Sequence, residues 1–137
     1  MATLPSIIIN RLDAERLERL IDHVSAADRQ VAEQLEDELE RGEVVEPHEV
    51  PADIVSMNSR VEFTDLTRQQ TLVRTLVYPH ALPGQQDGLS VLAPLGAALL
   101  GLKVGSLIEW QLPDGSLHEV RIEALHYQPE SAGDLHR

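Results

Sequence analysis

The chain has 137 residues, 42% of them hydrophobic and 25% charged, a length that suits one compact domain with an appendage and excludes two full enzyme domains. It contains no cysteine, which excludes disulfides, thiolate metal sites and a cysteine nucleophile and is typical of a cytoplasmic protein. The net charge of −12, with Lys103 as its one lysine, argues against autonomous nucleic-acid binding, because neutralising phosphates requires clustered basic residues.

The N-terminus, MATLPSIIIN, has neither a basic start nor a long apolar run. We therefore predict no signal peptide and no membrane span. Residues 7–9 are three β-branched isoleucines, which disfavour a helix. They predict an extended segment that packs on a core.

Two amphipathic helices follow, with Asp13 and Asp28 as predicted N-caps and Gly42 as the predicted end of the second helix. The apolar stripe of the first helix consists of Leu17, Leu20, Ile21 and Val24, and that of the second of Val31, Leu35 and Leu39. Stripes this narrow, joined by a short connection, predict a coiled-coil-like antiparallel hairpin in which each helix buries its stripe chiefly against the other.

The N-terminal part, which includes the hairpin, carries most of the charge, since residues 1–50 contain 13 acidic and five basic residues, a net charge of −8. Its predicted outer face bears Glu33, Glu36, Asp37, Glu38 and Glu40. The simplest interpretation is a solvated surface, and the alternative is a docking surface for a basic partner.

Residues 47–55 contain two prolines and no sustained hydrophobic period, which predicts a linker. The predicted organisation is an N-terminal segment and hairpin over residues 1–46, this linker, and a second domain over residues 56–137. In that domain the hydrophobic period changes to two, as in strands. The apolar positions of the alternating segments are Val61 and Phe63, then Leu72, Leu76 and Tyr78, and finally Val120, Ile122 and Ala124.

Residues 89–112 are the most apolar stretch of the chain and predict a strand, a short helix and a second strand. The helix should begin at Pro94 and end near Gly101, with Gly105 in the turn that follows. Ile108, Trp110 and Leu112 should share one side of the second strand, and Pro113, Asp114, Gly115 and Ser116 should form a turn. Residues 129–137 are predicted to be a frayed tail. The fold class is α+β, a helical hairpin followed by a mostly antiparallel sheet domain with one short helix.

The segment SVLAPLGAALLGLKVG, residues 90–105, resembles the Gre family of bacterial RNA polymerase-binding factors. In that family it is a strand, a proline, a small-residue helix and a glycine-bounded turn of an FKBP-like domain, and Pro94, Gly96, Gly101 and Gly105 fall in those places. The segments VSMNSRV, VRTLVYP and YQPE, together with the short hairpin, resemble one member of the family, and that similarity covers nearly the whole chain.

The resemblance implies a monomeric, non-enzymatic transcription regulator whose hairpin enters the secondary channel of RNA polymerase and competes with cleavage factors. It implies Asp22, His23, Ser25 and Asp28, at the hairpin tip, as partner-binding residues. Family members that stimulate transcript cleavage present paired carboxylates on a hairpin about twice as long, where they help hold Mg²⁺. The short hairpin here therefore predicts channel binding without cleavage. The alternative interpretation of Asp28 is a helix cap alone, and that of Asp22 is plain surface.

Two enzymatic alternatives stay open, transcript cleavage and an FKBP-like peptidyl-prolyl isomerase. The isomerase needs aromatic walls around a proline ring, whereas aromatic residues make up 3% of this chain and Phe63 and Trp110 are predicted to fill the core. His118 and His126 lie at opposite ends of the last predicted strand with no carboxylate expected beside them, so no metal site is predicted. No catalytic residue and no cofactor is assigned.

Overall fold

A computed structural model describes residues 7–111 and 115–134, with the backbone alone at Trp110 and Gln111. The N-terminal part runs β1 (Ile8–Asn10), α1 (Arg11–Ile21), α2 (Arg29–Arg41) and β2 (Glu43–Val45). The C-terminal part runs β3 (Arg60–Asp65), β4 (Gln70–Val77), β5 (Gly88–Ser90), α3 (Pro94–Leu99), β6 (Leu107–Gln111), β7 (Leu117–Tyr127) and α4 (Pro129–Ala132). Short 3₁₀ segments lie at Ala26–Asp28, Pro47–Glu49 and Pro79–Gly84.

Within the described residues, five strands form the main sheet in the order β5-β4-β3-β7-β6. Its pairs are antiparallel except for β4 and β5, which are parallel with Leu76 opposite Leu89. The predicted α+β class is confirmed, and the sheet is mixed rather than purely antiparallel. The predicted alternation is confirmed in β3, where Val61 and Phe63 are each 1% exposed, and in the first half of β7, where Val120 is fully buried. It is wrong for β4, where consecutive residues from Thr75 to Val77 are all buried.

The isoleucine segment packs on the core, as predicted, and also forms a parallel pair with β2. Ile7 and Ile9 are buried, and the Ile8 N–H donates to the Gly101 carbonyl at 3.1 Å. Gly101 has a φ of +80°, and a Cβ there would lie 2.7 Å from the Ile7 Cβ. Glycine is therefore required at this position both for its conformation and for the close approach of the first strand.

Both helices occur where the hydrophobic period predicts them. The first begins three residues earlier than an N-cap at Asp13 predicts, because Asn10 is the N-cap and its side chain accepts from the Asp13 N–H. The prediction that Asp13 caps the helix is therefore wrong. Gly42 ends the second helix as predicted, with an ordinary φ of −76°, and a Cβ there would lie 2.9 Å from an Ile7 methylene.

The helix pair, meaning α1, α2 and the connection between them, shares one hydrophobic cluster with the sheet domain. Leu17 and Leu35 have no exposed surface, and α2 contacts α3. Mutual burial of the two stripes, as the sequence predicts, is thus only part of their packing. At about 1.5 Å per residue, the 11 and 13 residues of the helices span about 16 and 20 Å.

The segment predicted as a linker packs against the sheet domain. Ile54 pairs with Lys103 in an isolated antiparallel bridge, and the Val55 N–H donates to the Leu102 carbonyl at 2.9 Å. Val50, Ile54 and Val55 are buried. The boundaries at residues 46 and 55 stay a prediction, but the chain between them is fixed by hydrogen bonds.

The short helix begins at Pro94, as predicted, and Gly105 has the left-handed φ expected of its turn, +94°. Residues 129–134 contradict the prediction of a frayed tail, because α4 occupies Pro129–Ala132 and Gln128, which precedes it, is 2% exposed. Leu112, Pro113, Asp114 and the tail residues 135–137 lie outside the described residues, as does the packing of the Trp110 side chain.

Candidate partner-binding site

The tip, residues 22–28, joins the two helices and is mostly open to solvent. Asp22, His23 and Ser25 are exposed, and Asp28 is half-buried. One local hydrogen bond joins His23 Nδ1 and the Arg19 carbonyl (2.8 Å), and Val24 packs against the hydrophobic core. The exposed side chains of the tip can meet a partner directly. The role of these four residues in binding stays a prediction.

Asp28 occupies the N-cap position of α2, as predicted, but its side chain makes no capping hydrogen bond. The Ser25 hydroxyl donates to Asp28 Oδ2 over 3.4 Å, so the carboxylate faces its own connection. Asp22 is the residue after α1, and its N–H donates to the Glu18 carbonyl. Across the described part of the chain, no group of three or more His, Asp or Glu side chains has the arrangement of a metal site.

An acidic groove of about 340 Å³ borders the tip. Its lining consists of Glu18, Ile21, Asp22, Glu36, Leu39 and Glu40. Four of these side chains carry carboxylates, while the buried Ile21 and half-buried Leu39 provide an apolar strip. This face of the helix pair therefore combines negative charge with apolar surface, a combination suited to a basic amphipathic partner.

The base of the helix pair contains a buried carboxylate. Asp13 is 2% exposed; its Oδ2 accepts from the Met57 N–H (3.1 Å) and its Oδ1 from the Tyr78 hydroxyl (3.2 Å). Desolvation raises the pKa of Asp13 to about 7, and the nearby Glu130 charge adds to the rise. The hydrogen bonds from Met57 and Tyr78 act in the opposite direction. Burial likewise raises the pKa of Tyr78.

The sequence contains a signal for this burial. Asp13 lies four residues before Leu17, which places it on the apolar stripe of α1 and not at the N-cap position before the helix. A carboxylate on a buried helical stripe requires hydrogen-bond donors from another element. The donors themselves could not be deduced, because Met57 and Tyr78 are 44 and 65 residues away.

Glu130 forms a second polar contact at the same base. Its Oε2 accepts from Asn10 Nδ2 and its Oε1 from the Ser56 hydroxyl, each at 2.6 Å. Ser56 and Ser59 are hydrogen bonded through their hydroxyls at 3.0 Å. Glu130 belongs to α4, in the segment that the sequence predicts to be a frayed tail. The sequence therefore does not predict this contact.

Two histidines have carboxylate partners that the sequence did not predict. His118 Nδ1 lies 2.8 Å from Asp65 Oδ2 with both side chains buried, and His126 Nε2 lies 2.9 Å from Glu62 Oε1 at the surface. Burial alone would raise the pKa of Asp65, but hydrogen bonds from His118 and from two backbone N–H groups lower it. The expectation that no carboxylate lies beside these histidines is wrong. The pairs link neighbouring strands and are separate from the tip.

Phe63, one of the aromatic residues considered for a proline pocket, is 1% exposed and fills the core. Tyr78 is also buried, and its ring stacks on His80 with centroids 5.9 Å apart. These two rings do not line an open pocket. No helix in the two described stretches is both long enough and apolar enough to cross a membrane.

The fold that carries the tip is a helix pair with an exposed connection, followed by a mixed sheet domain. This arrangement agrees with the family matches that follow. Residues 50–127 match the family model described as the C-terminal part of transcription elongation factors GreA and GreB. Residues 5–45 match a second model, described as Rnk N-terminus. The first match spans more than half of the chain, so the chain belongs to the GreA/GreB family of transcription elongation factors.

Within that family, the chain is similar over nearly its whole length to the regulator of nucleoside diphosphate kinase of Escherichia coli strain K12. The two are 48% identical over 130 residues, covering 95% of this chain and 96% of the relative. A solved transcription elongation factor GreA/GreB from Nitrosomonas europaea is 44% identical, with a TM-score of 0.71 over 90% of this chain and 99% of that one.

The similarity to longer family members is confined to one region. Transcription elongation factor GreA of Clostridium beijerinckii is 35% identical over 82 residues, which cover 60% of this chain and 51% of the relative. About half of that relative therefore has no counterpart in the match.

Proposed function

We propose that this chain is a transcription regulator that binds RNA polymerase, inserts its tip into the secondary channel and competes there with transcript-cleavage factors without cleaving RNA itself. Membership of the GreA/GreB family supports RNA polymerase as the partner. The observation that carries the proposal is the exposed tip, Asp22 to Asp28, on two helices of only 11 and 13 residues.

Two features favour occupancy of the channel over cleavage. The helices span at most about 20 Å, so the tip reaches less far than that of a hairpin of twice the length. Transcript cleavage requires carboxylates that hold a metal ion beside the RNA, whereas Asp28 is half-buried at the N-cap position of α2. We therefore expect a helix pair of this length to block access to the channel without completing a second metal site.

The test is a competition assay on stalled elongation complexes. The protein should suppress RNA cleavage stimulated by a GreA-type factor in a concentration-dependent way, and by itself it should release no 3′ RNA fragments. A double variant, Asp22→Ala with Asp28→Ala, should compete about tenfold less well, because two tip charges are lost. The matched control is Glu109→Ala with Glu119→Ala, which removes two exposed carboxylates from the sheet domain.

Failure to bind polymerase at low salt would refute the proposal. Release of 3′ fragments by the protein alone, abolished by Asp28→Ala, would establish the cleavage alternative in its place. Turnover of a proline peptide above background, in a separate assay, would establish the isomerase alternative.

A further inference from the structure

Two polar bridges connect the start of α1 to the sheet domain, one from Asp13 in its first turn and one from its N-cap, Asn10. In one, Asp13 accepts from the Met57 N–H and from the Tyr78 hydroxyl. In the other, Glu130 accepts from Asn10 Nδ2 with one oxygen and from the Ser56 hydroxyl with the other. Each carboxylate therefore uses both of its oxygens, and each bridge joins α1 to an element distant in sequence.

The sheet-domain side of both bridges is itself fixed. Tyr78 follows directly after β4, and Met57 lies just beyond the segment that pairs with Leu102 and Lys103. Glu130 is held by α4, which is anchored because Gln128 Nε2 donates to the Pro51 and Ile54 carbonyls at 2.8 and 2.7 Å. The bridges thus end on backbone that is already ordered.

The two kinds of contact at this base have different consequences. Apolar burial of residues such as Leu17 holds the helix pair against the body, but the hydrophobic effect is non-directional and tolerates small rotations. Hydrogen bonds weaken steeply as their angles depart from linear, so they select one orientation. The bridges act at the start of α1, and the opposite end of that helix is the exposed tip.

We propose that Asp13 and Glu130 are positioning residues that fix the direction in which the helix pair leaves the sheet domain. This inference rests on the proposed function, because the direction matters for a tip that must enter a channel while the body docks outside it. From Asp13 to Asp22 the helix extends about 14 Å, so a rotation of about 20° at the base displaces the tip by about 5 Å. A displacement of that size separates a tip aligned with the channel from one that meets its wall.

The absence of native cysteine allows the direction to be measured with spin labels. The variants are Ala27→Cys at the tip and Glu109→Cys on β6, and both positions are exposed. Double electron–electron resonance between spin labels on these two cysteines measures the distance from tip to body. The parent protein should give one narrow distance distribution. Asp13→Ala and Glu130→Ala should each broaden or shift it, while a label pair within the body, at Gln86 and Glu109, should be unchanged.

Two further variants separate positioning from general stability. Asp13→Asn should preserve the narrow distribution, because the amide can accept from the Met57 N–H and donate to the Tyr78 oxygen. Tyr78→Phe keeps the ring and removes only the hydroxyl, so it should broaden the distribution in a protein that remains folded. Asp65→Ala is the matched control: it removes another buried carboxylate, 6% exposed, and should leave the tip distance unchanged. Asp65 lies opposite Val120 at the end of β3, whereas Arg60, at the start of β3, lies opposite Tyr127 near Glu130.

Binding to polymerase provides a second, independent readout. If the competent direction becomes a tenth of the population, apparent affinity should fall about tenfold, whereas Asp13→Asn should restore it. Narrow distributions in Asp13→Ala, Glu130→Ala and Tyr78→Phe would overturn the inference, as would unchanged affinity in variants with broad distributions. Failure of the parent protein to bind polymerase would refute the proposed function alone, since the distances are measured on the free protein.

Discussion

Asp13 is a carboxylate on the buried, apolar face of a helix. Desolvation raises its pKa from 3.8 to about 7, so the folded protein retains this proton over a pH range in which the unfolded chain has lost it. The folded state is therefore stabilised by Asp13 protonation at low pH. That contribution is lost as the pH rises towards the folded pKa.

Replacing Asp13 with asparagine should remove this pH dependence. Between about pH 4 and pH 7, the free energy of unfolding of the parent protein should fall relative to that of Asp13→Asn by about 1.4 kcal/mol per pH unit, and above pH 7 the difference should be constant. Urea unfolding of both proteins over a pH series measures it. Parallel curves across that range would show that the pKa of Asp13 is not raised.

Asp65 provides a control of opposite sign. Hydrogen bonds from His118 and the backbone outweigh its burial and lower its pKa, so its contribution to stability should disappear as the pH falls below the ordinary value of 3.8. Below about pH 4 the parent protein should therefore lose stability relative to Asp65→Asn, whereas its gain relative to Asp13→Asn should occur as the pH falls from about 7 to about 4.

The packing of α3 on the sheet depends on one small residue, Gly96. A Cβ on Gly96 would lie 2.1 Å from the Ser90 carbonyl oxygen, because the helix passes directly over the end of β5. Alanine is otherwise favoured over glycine inside a helix by about 1 kcal/mol. Here the overlap involves backbone, which cannot rotate away as the end of a side chain can.

Gly96→Ala should therefore destabilise the protein by about 2 kcal/mol or more, despite the better helix propensity of alanine. The matched control is Gly84→Ala, where the added Cβ meets nothing within 4 Å. Thermal and urea unfolding of both variants measure the effect. Equal stability of the two variants would show that α3 can shift away from β5 without cost.

The elements that the sequence predicts well are those with a local period. The stripes of α1 and α2 and the alternation in β3 and β7 are repeated patterns of burial, and each can be recognised within about ten residues. The parallel pair β1 and β2 could not be predicted, because each strand has three residues and the partners lie 35 positions apart, as Ile8 and Glu43 do. The anchoring of α4 depends on contacts of Gln128 and Glu130 that are likewise distant in sequence.

The same distinction applies to the candidate site. The exposed tip residues follow from their place between two predicted helices, so sequence alone locates them. The bridges at the base do not follow from it, since Asn10 and Glu130 are 120 residues apart. A carboxylate on an apolar stripe indicates that another element provides its hydrogen-bond donors, and Asp13 is such a carboxylate.

At the scale of the whole molecule, charge is distributed unevenly. Of the net charge of −12, residues 1–50 contribute −8, and Glu33, Glu36, Asp37 and Glu40 on α2 are all exposed. Glu38 is partly shielded by an ion pair with Arg41. Residues 1–50, which include the helix pair and its tip, are thus the more acidic part of the protein and should lead its approach to a basic surface.

For the proposed binding to polymerase, this distribution predicts a dependence on salt. The Debye length falls from about 10 Å at 0.1 M to about 3 Å at 1 M, so attraction between the acidic helix pair and a basic surface of the partner should be screened. We expect the association rate to fall about tenfold over this range, measured by stopped-flow competition with a labelled Gre factor.

Glu33→Gln with Asp37→Asn should flatten this dependence. The control variant, Glu109→Gln with Glu119→Gln, carries the same net charge and should retain the full dependence if the helix pair leads the encounter. An association rate independent of salt would instead place the main contact on apolar surface.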